Sequence, residues 1–181
     1  MNSARYFYRR CQELCIPTVT LTRWAAYGCP ITNDVFDDCC KTAHMVATNT
    51  RRVSMCTINQ LWTKVNLPES DPRREKLPAR CDRRWFCRTF LGMEDTNRSS
   101  SNSIWPMLTR LHMYDPLSMM VCVSAYRETY FHWESKVVNG VRHKYCGVSE
   151  TNTGVIDATA LRDKLGSLLQ LSLRSALQNI S

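Results

Sequence analysis

The sequence predicts an α+β fold: a helical amino-terminal half, a small antiparallel sheet with a β-hairpin at 133–146, and a long carboxy-terminal amphipathic helix. Three observations predict it. From Asp157 to Asn179, Leu161, Leu165, Leu168, Leu169, Leu173, Ala176 and Ile180 fall on one helical arc, with Asp163, Lys164, Gln170, Arg174 and Gln178 on the other. Asn139-Gly140 stands between two β-rich runs, as a two-residue hairpin loop requires. Upstream, apolar residues recur at helical spacing over 3–15, 34–48 and 54–66.

Taken in order, Ser3 to Cys15 places Ala4, Phe7, Cys11, Leu14 and Cys15 on one helix face, and Pro17 ends the helix. Thr18 to Tyr27 is β-branched and apolar enough for a strand, broken by Gly28 and Pro30. A helix over Asp34 to Thr48 carries Asp34, Asp37 and Asp38 in its first turns, where the helix dipole favours carboxylates, with Phe36, Cys40, Ala43 and Ala47 inward. Another runs from Ser54 to Asn66 on Met55, Ile58, Leu61, Trp62 and Val65. The polar run 94–103 reads as a linker, giving a mainly helical region 1–92, a linker 93–103 and an α+β region 104–181. Trp105 to Met113 makes a short helix with Pro106 in its first turn. Met119 to Val123 is assigned as a third strand although a helical stripe also fits, because an isolated two-stranded hairpin is marginal in water. In the hairpin Val138 faces Val141 and Trp133 faces Cys146. The terminal helix, capped by Asp157 and about 34 Å long, is expected to organise the core.

A hydrophobic fraction of 44% over 181 residues supplies a real core, which excludes global disorder. No apolar run suits a signal peptide or a membrane span, so the expected place is intracellular, in cytoplasm or nucleus, with no membrane partner. Ten cysteines in that compartment are buried thiols before they are anything else.

Four constellations carry chemistry. Arg73, Arg74, Arg80, Arg83, Arg84 and Arg88, with Lys76, gather much of the net charge of +8 around Trp85 and Phe86. Guanidinium groups neutralise phosphates and a ring stacks on bases, so RNA or DNA is the expected partner. Cys11 with Cys15, and Cys40 with His44, lie four apart on two predicted helices and form a candidate zinc site, though without standard finger spacing; no other cofactor is expected. Cys29 could act as a nucleophile with His112, His132 or His143 as base, but no nucleophile signature surrounds it, and no catalytic residue is assigned. In the terminal helix, Ser167, Leu168, Ser172 and Ala176 resemble the short helical box by which lentiviral Vif and SOCS-box adaptors dock on elongin C.

These readings converge on a non-enzymatic, basic nucleic-acid-binding accessory protein holding the phosphate backbone. The alternatives are a protein-interaction adaptor docking through its carboxy-terminal helix, and a chain with no evolved molecular function.

Overall fold

The computed structural model describes residues 2–41, 45–74 and 77–178, with side-chain surroundings from Ser3 to Ser172. In chain order the elements are α1 (Asn2–Glu13), β1 (Val19–Leu21), α2 (Arg23–Gly28), α3 (Asp34–Cys40), α4 (Met45–Val65), α5 (Arg83–Phe86), α6 (Tyr114–Cys122), α7 (Ser124–Tyr130), β2 (Glu134–Val138), β3 (Val141–Cys146) and α8 (Ala158–Gln178). Short 3₁₀ turns at Pro72–Arg74 and Trp105–Met107 and a π turn at Cys87–Leu91 complete them. The fold is α+β, with a three-stranded mixed sheet. Among the described residues, no helix is long and apolar enough to cross a membrane.

The chain forms two compact units, Met1–Cys29 with His112–Leu165, and Pro30–Leu111 with Gly166–Ser181. They interleave along the sequence. The polar run belongs to the second unit, where Asn59 Oδ1 accepts from the Ile104 N–H at 2.8 Å and Trp62 Nε1 donates to the Ser99 carbonyl at 3.2 Å.

The first unit holds the sheet, in the order β1-β3-β2. The hairpin has the expected register: Val138 pairs with Val141 and Glu134 with Tyr145. Asn139 and Gly140 take φ of 50° and 79°, the left-handed values that a two-residue loop demands. The hairpin's neighbour is a correction. Met119 to Val123 is not a strand but lies across the end of α6, burying Met120 and Val121. The third strand is β1, parallel to β3, with Val19 opposite Lys144 and Leu21 opposite Cys146. The strand expected to reach Tyr27 stops at Leu21 because the Thr22 side chain accepts from the Trp24 N–H at 3.2 Å, capping α2. At the other end of the chain, Asp157 caps α8, accepting from the Thr159 and Ala160 amides at 2.9 and 3.0 Å. In α1 the left-handed turn at Cys15, φ 54°, helps end the helix, with Ile16 N–H bonding the Cys11 carbonyl at 2.7 Å.

The second unit is built on α4 rather than on the terminal helix. Ile58, Trp62 and Val65 pack with Phe86, Cys87, Leu91, Ile104, Trp105 and Leu108. The expected helix over Asp34 to Thr48 ends at Cys40, and α4 begins at Met45, well before Ser54. Cys39 is buried and Cys40 half-buried, while Ala43 lies outside the described residues. The helix expected over Trp105 to Met113 is a single 3₁₀ turn, beyond which Ile31 and Leu111 form an antiparallel bridge. Of the leucine arc of α8, Leu161 and Leu165 are buried, Leu168 and Leu169 half-buried, and the side chains of Leu173, Ala176 and Ile180 lie outside those described.

Candidate functional site

The arginines of the basic segment are largely paired within their own chain, although Arg73, Arg84 and Arg88 keep exposed side chains. Arg83 bridges Asp95 at 2.7 Å, bonds Asn66 Oδ1 and the Thr96 carbonyl, and lies with its guanidinium 4.8 Å from the Trp62 ring centroid. Arg84 and Arg88 converge on Glu94 at 2.8 and 2.7 Å, and together they hold its carboxyl below the usual range, Arg88 contributing most. Arg73 is paired with Asp71, whose carboxyl its hydrogen bonds lower to about 2. Arg74 is buried and donates to the Leu67 and Cys81 carbonyls, both at 3.2 Å. Arg80 is exposed. Trp85 is half-buried and meets Phe90 edge-on at 5.7 Å. Five of these six arginines therefore bind their own chain.

The cysteine sites are equally specific. Cys11 is buried, Cys15 exposed, and Cys40 directs its thiol to the Ala47 carbonyl at 3.5 Å; His44 lies outside the described residues. Among the described residues, no three His, Cys, Asp or Glu side chains gather as metal ligands would. Cys29 is fully buried, its thiol lies 3.8 Å from the Ala158 carbonyl, and burial pushes its pKa up to about 11 against the pull of Arg162. That is the environment of an inert thiol.

A different cluster forms in the first unit, from α2 and the segment leading into α6. Thr22 and Gly147 set its base: the Thr22 hydroxyl donates to the Gly147 carbonyl, and a side chain at Gly147, φ 78°, would meet Ala25 N and the Thr153 carbonyl at 2.7 Å. This anchored turn starts α2 and puts Arg23, Trp24 and Tyr27 along one stretch. The Arg23 guanidinium lies 4.6 Å from the Trp24 ring centroid, and Trp24 meets Tyr27 edge-on at 5.9 Å. Tyr27 lies 4.3 Å from the His112 ring, and His112 lies 6.5 Å from Tyr114. His112 Nδ1 sits 3.3 Å from the Ala26 carbonyl, which ties the incoming segment to α2.

The electrostatics follow from this crowding. Tyr114 is 45% exposed, yet its phenol is pushed up to about 12 by desolvation and by the charge of and hydrogen bond with Tyr27, with Arg23 pulling the other way. The result is a run of four rings, with a guanidinium at one end and a phenol held neutral at the other; Asp115, next in the sequence, is exposed. Such a surface can stack a planar base, pair with a phosphate and hydrogen-bond hydroxyls. Of this set the sequence points only to His112, in another role, because Arg23 to Tyr27 reads as part of a strand.

No protein-family model matches the chain, and no curated protein matches it. Solved structures do. The chain is similar to the Xanthomonas effector protein XOO4466, at TM-score 0.70 and 25% identity, covering 95% of this chain and 44% of that one. It is also similar to the type III effector protein XopQ, solved complexed with adenosine diphosphate ribose, at TM-score 0.71 and 26% identity, again covering 95% and 44%. The chain thus spans less than half the length of either. These neighbours overturn the nucleic-acid reading: they are effector proteins, one of them holding ADP-ribose, and not nucleic-acid-binding accessory factors.

Proposed function

We propose that this chain is an effector-type protein that binds ADP-ribose, or a ligand of the same class with a planar base and a diphosphate, through Arg23, Trp24, Tyr27, His112 and Tyr114. The observation that carries the reading is the likeness to XopQ in its ADP-ribose complex over 95% of this chain. The cluster adds chemical sense. Its rings supply stacking faces, Arg23 a phosphate partner, and Asp115 an acceptor for ribose hydroxyls. Burial of Cys29 argues only against that thiol as a nucleophile. The free state of all ten cysteines supports a reducing, intracellular place of action.

Calorimetric titration with ADP-ribose tests the proposal. Saturable binding is expected in the parent, weakened about tenfold or more by Arg23→Ala, since a charge-assisted hydrogen bond contributes about 1.5–3 kcal/mol. Absence of binding, or equal binding by the variant, counts against it.

A further inference from the structure

Among the described residues, His143 Nε2 is the buried side-chain atom without a hydrogen-bond partner, in a ring only 1% exposed. The other ring nitrogen holds a distant segment. The Thr18 backbone N–H donates to Nδ1 at 3.2 Å, and the Thr18 hydroxyl lies 2.8 Å from the same atom. A backbone amide can only donate, so Nδ1 is an acceptor and the neutral ring carries its proton on Nε2. The Thr18 carbonyl in turn accepts from the Lys144 N–H at 2.9 Å, which opens the pairing of β1 with β3. β1 then leads through Thr22 into α2.

We propose that His143 is a pH-operated latch on the amino-terminal segment, holding Thr18 and β1 when neutral and releasing them when protonated. A proton on Nδ1 removes the lone pair that accepts the Thr18 amide and leaves a cation in a nearly sealed position. The Thr18 hydroxyl can turn to accept from the new N–H, but the amide is left facing another donor. Among the described residues, no carboxylate lies directly opposite the ring on this sheet face. Lys136, directly opposite on β2, adds like charge, and Tyr145 lies with its ring 6.5 Å away. Glu134, the carboxylate of the same face, accepts from Asn152 at 2.7 Å. From α1, which meets this face where the Tyr8 and Thr20 hydroxyls lie 3.4 Å apart, come Tyr8 and the buried Cys11. The neighbouring Arg142 and Lys144 point to the opposite, exposed face. Because β1 positions α2, release also loosens the ligand cluster; that consequence rests on the function proposed above, whereas the latch does not.

Amide hydrogen exchange at Thr18 and Thr22, corrected for intrinsic rates and compared at about pH 7.5 and about pH 5.5, reads the latch directly. The matched variant is His143→Asn, whose Oδ1 can replace Nδ1 as acceptor but does not titrate. The parent is expected to lose protection about tenfold or more on acidification, and the variant to lose none. Unchanged protection in the parent, or an equal loss in the variant, overturns the latch. Should the variant fail to fold, ¹⁵N shifts of the parent's His143 ring decide: a proton on Nδ1 at about pH 7.5 overturns the proposal, and a proton on Nε2 that spreads to both nitrogens as Thr18 loses protection supports it. ADP-ribose affinity over the same range separates the two claims, because a parent that binds no ADP-ribose at either pH refutes the site while the exchange data still decide the latch.

Discussion

Tyr27 and Tyr114 are hydrogen-bonded through their side chains, and the contact joins α2 to the start of α6. Its consequence is an acid–base signature. Tyr114 ionises near 12 instead of its ordinary 10.0, so the neutral phenol is the form the folded state favours. The stability this contributes is fully present below pH 10 and lost as the pH rises through 12. Absorbance titration of the tyrosines should show a late component that Tyr114→Phe removes.

The thiols should separate by environment. Burial raises Cys29 to about 11 and Cys146 to about 12, while Cys15, Cys56 and Cys122 are exposed. At about pH 8 the raised pair holds a thiolate fraction of about 0.1% or less, so an aromatic disulfide reagent should label the three exposed cysteines rapidly in the native protein. Cys29 and Cys146 should react only on unfolding, as peptide mapping would show. Rapid native labelling of Cys29 would contradict the buried assignment.

Arg83 should act on stability. Arg83→Ala removes its bonds to Asp95 and Asn66 and its contact with Trp62, and should cost about 2 kcal/mol in urea unfolding. Arg80→Ala, at an exposed position in the same segment, should stay within about 0.5 kcal/mol. Equal effects would mean that the arginines are not structural partners.

The hairpin gives a backbone test. Nothing lies within 4 Å of a side chain placed at Gly140, so Gly140→Val should be costly only through its φ of 79°. A left-handed, β-branched residue makes that about 1–2 kcal/mol or more. A thermal midpoint equal to the parent's would remove the two-residue turn from the account.

Local chemistry was legible in the sequence where a few adjacent residues decide the outcome. Asn139-Gly140 sets the hairpin and Asp157 caps α8, because each acts within a few residues. The partner of β3 was not legible, since β1 comes from the far amino-terminal end and pairs in parallel, and no local pattern encodes such a contact. Thr22 misled for the same reason that it matters: as a β-branched residue it extends a strand pattern, and as a cap it ends one. The arginine segment was read correctly as basic, but its carboxylates, Glu94 and Asp95, sit in the polar run set aside as linker. The ligand cluster escaped because its two halves, Arg23–Tyr27 and His112–Asp115, meet only in the folded unit.

The most direct test of the central claim is the set of backbone amide shifts in a ¹⁵N-labelled chain titrated with ADP-ribose. Saturable changes are expected at Arg23–Gly28 and His112–Asp115, with Arg73–Arg88 unmoved. No change at saturating ligand, or changes confined to the arginine segment, would contradict it.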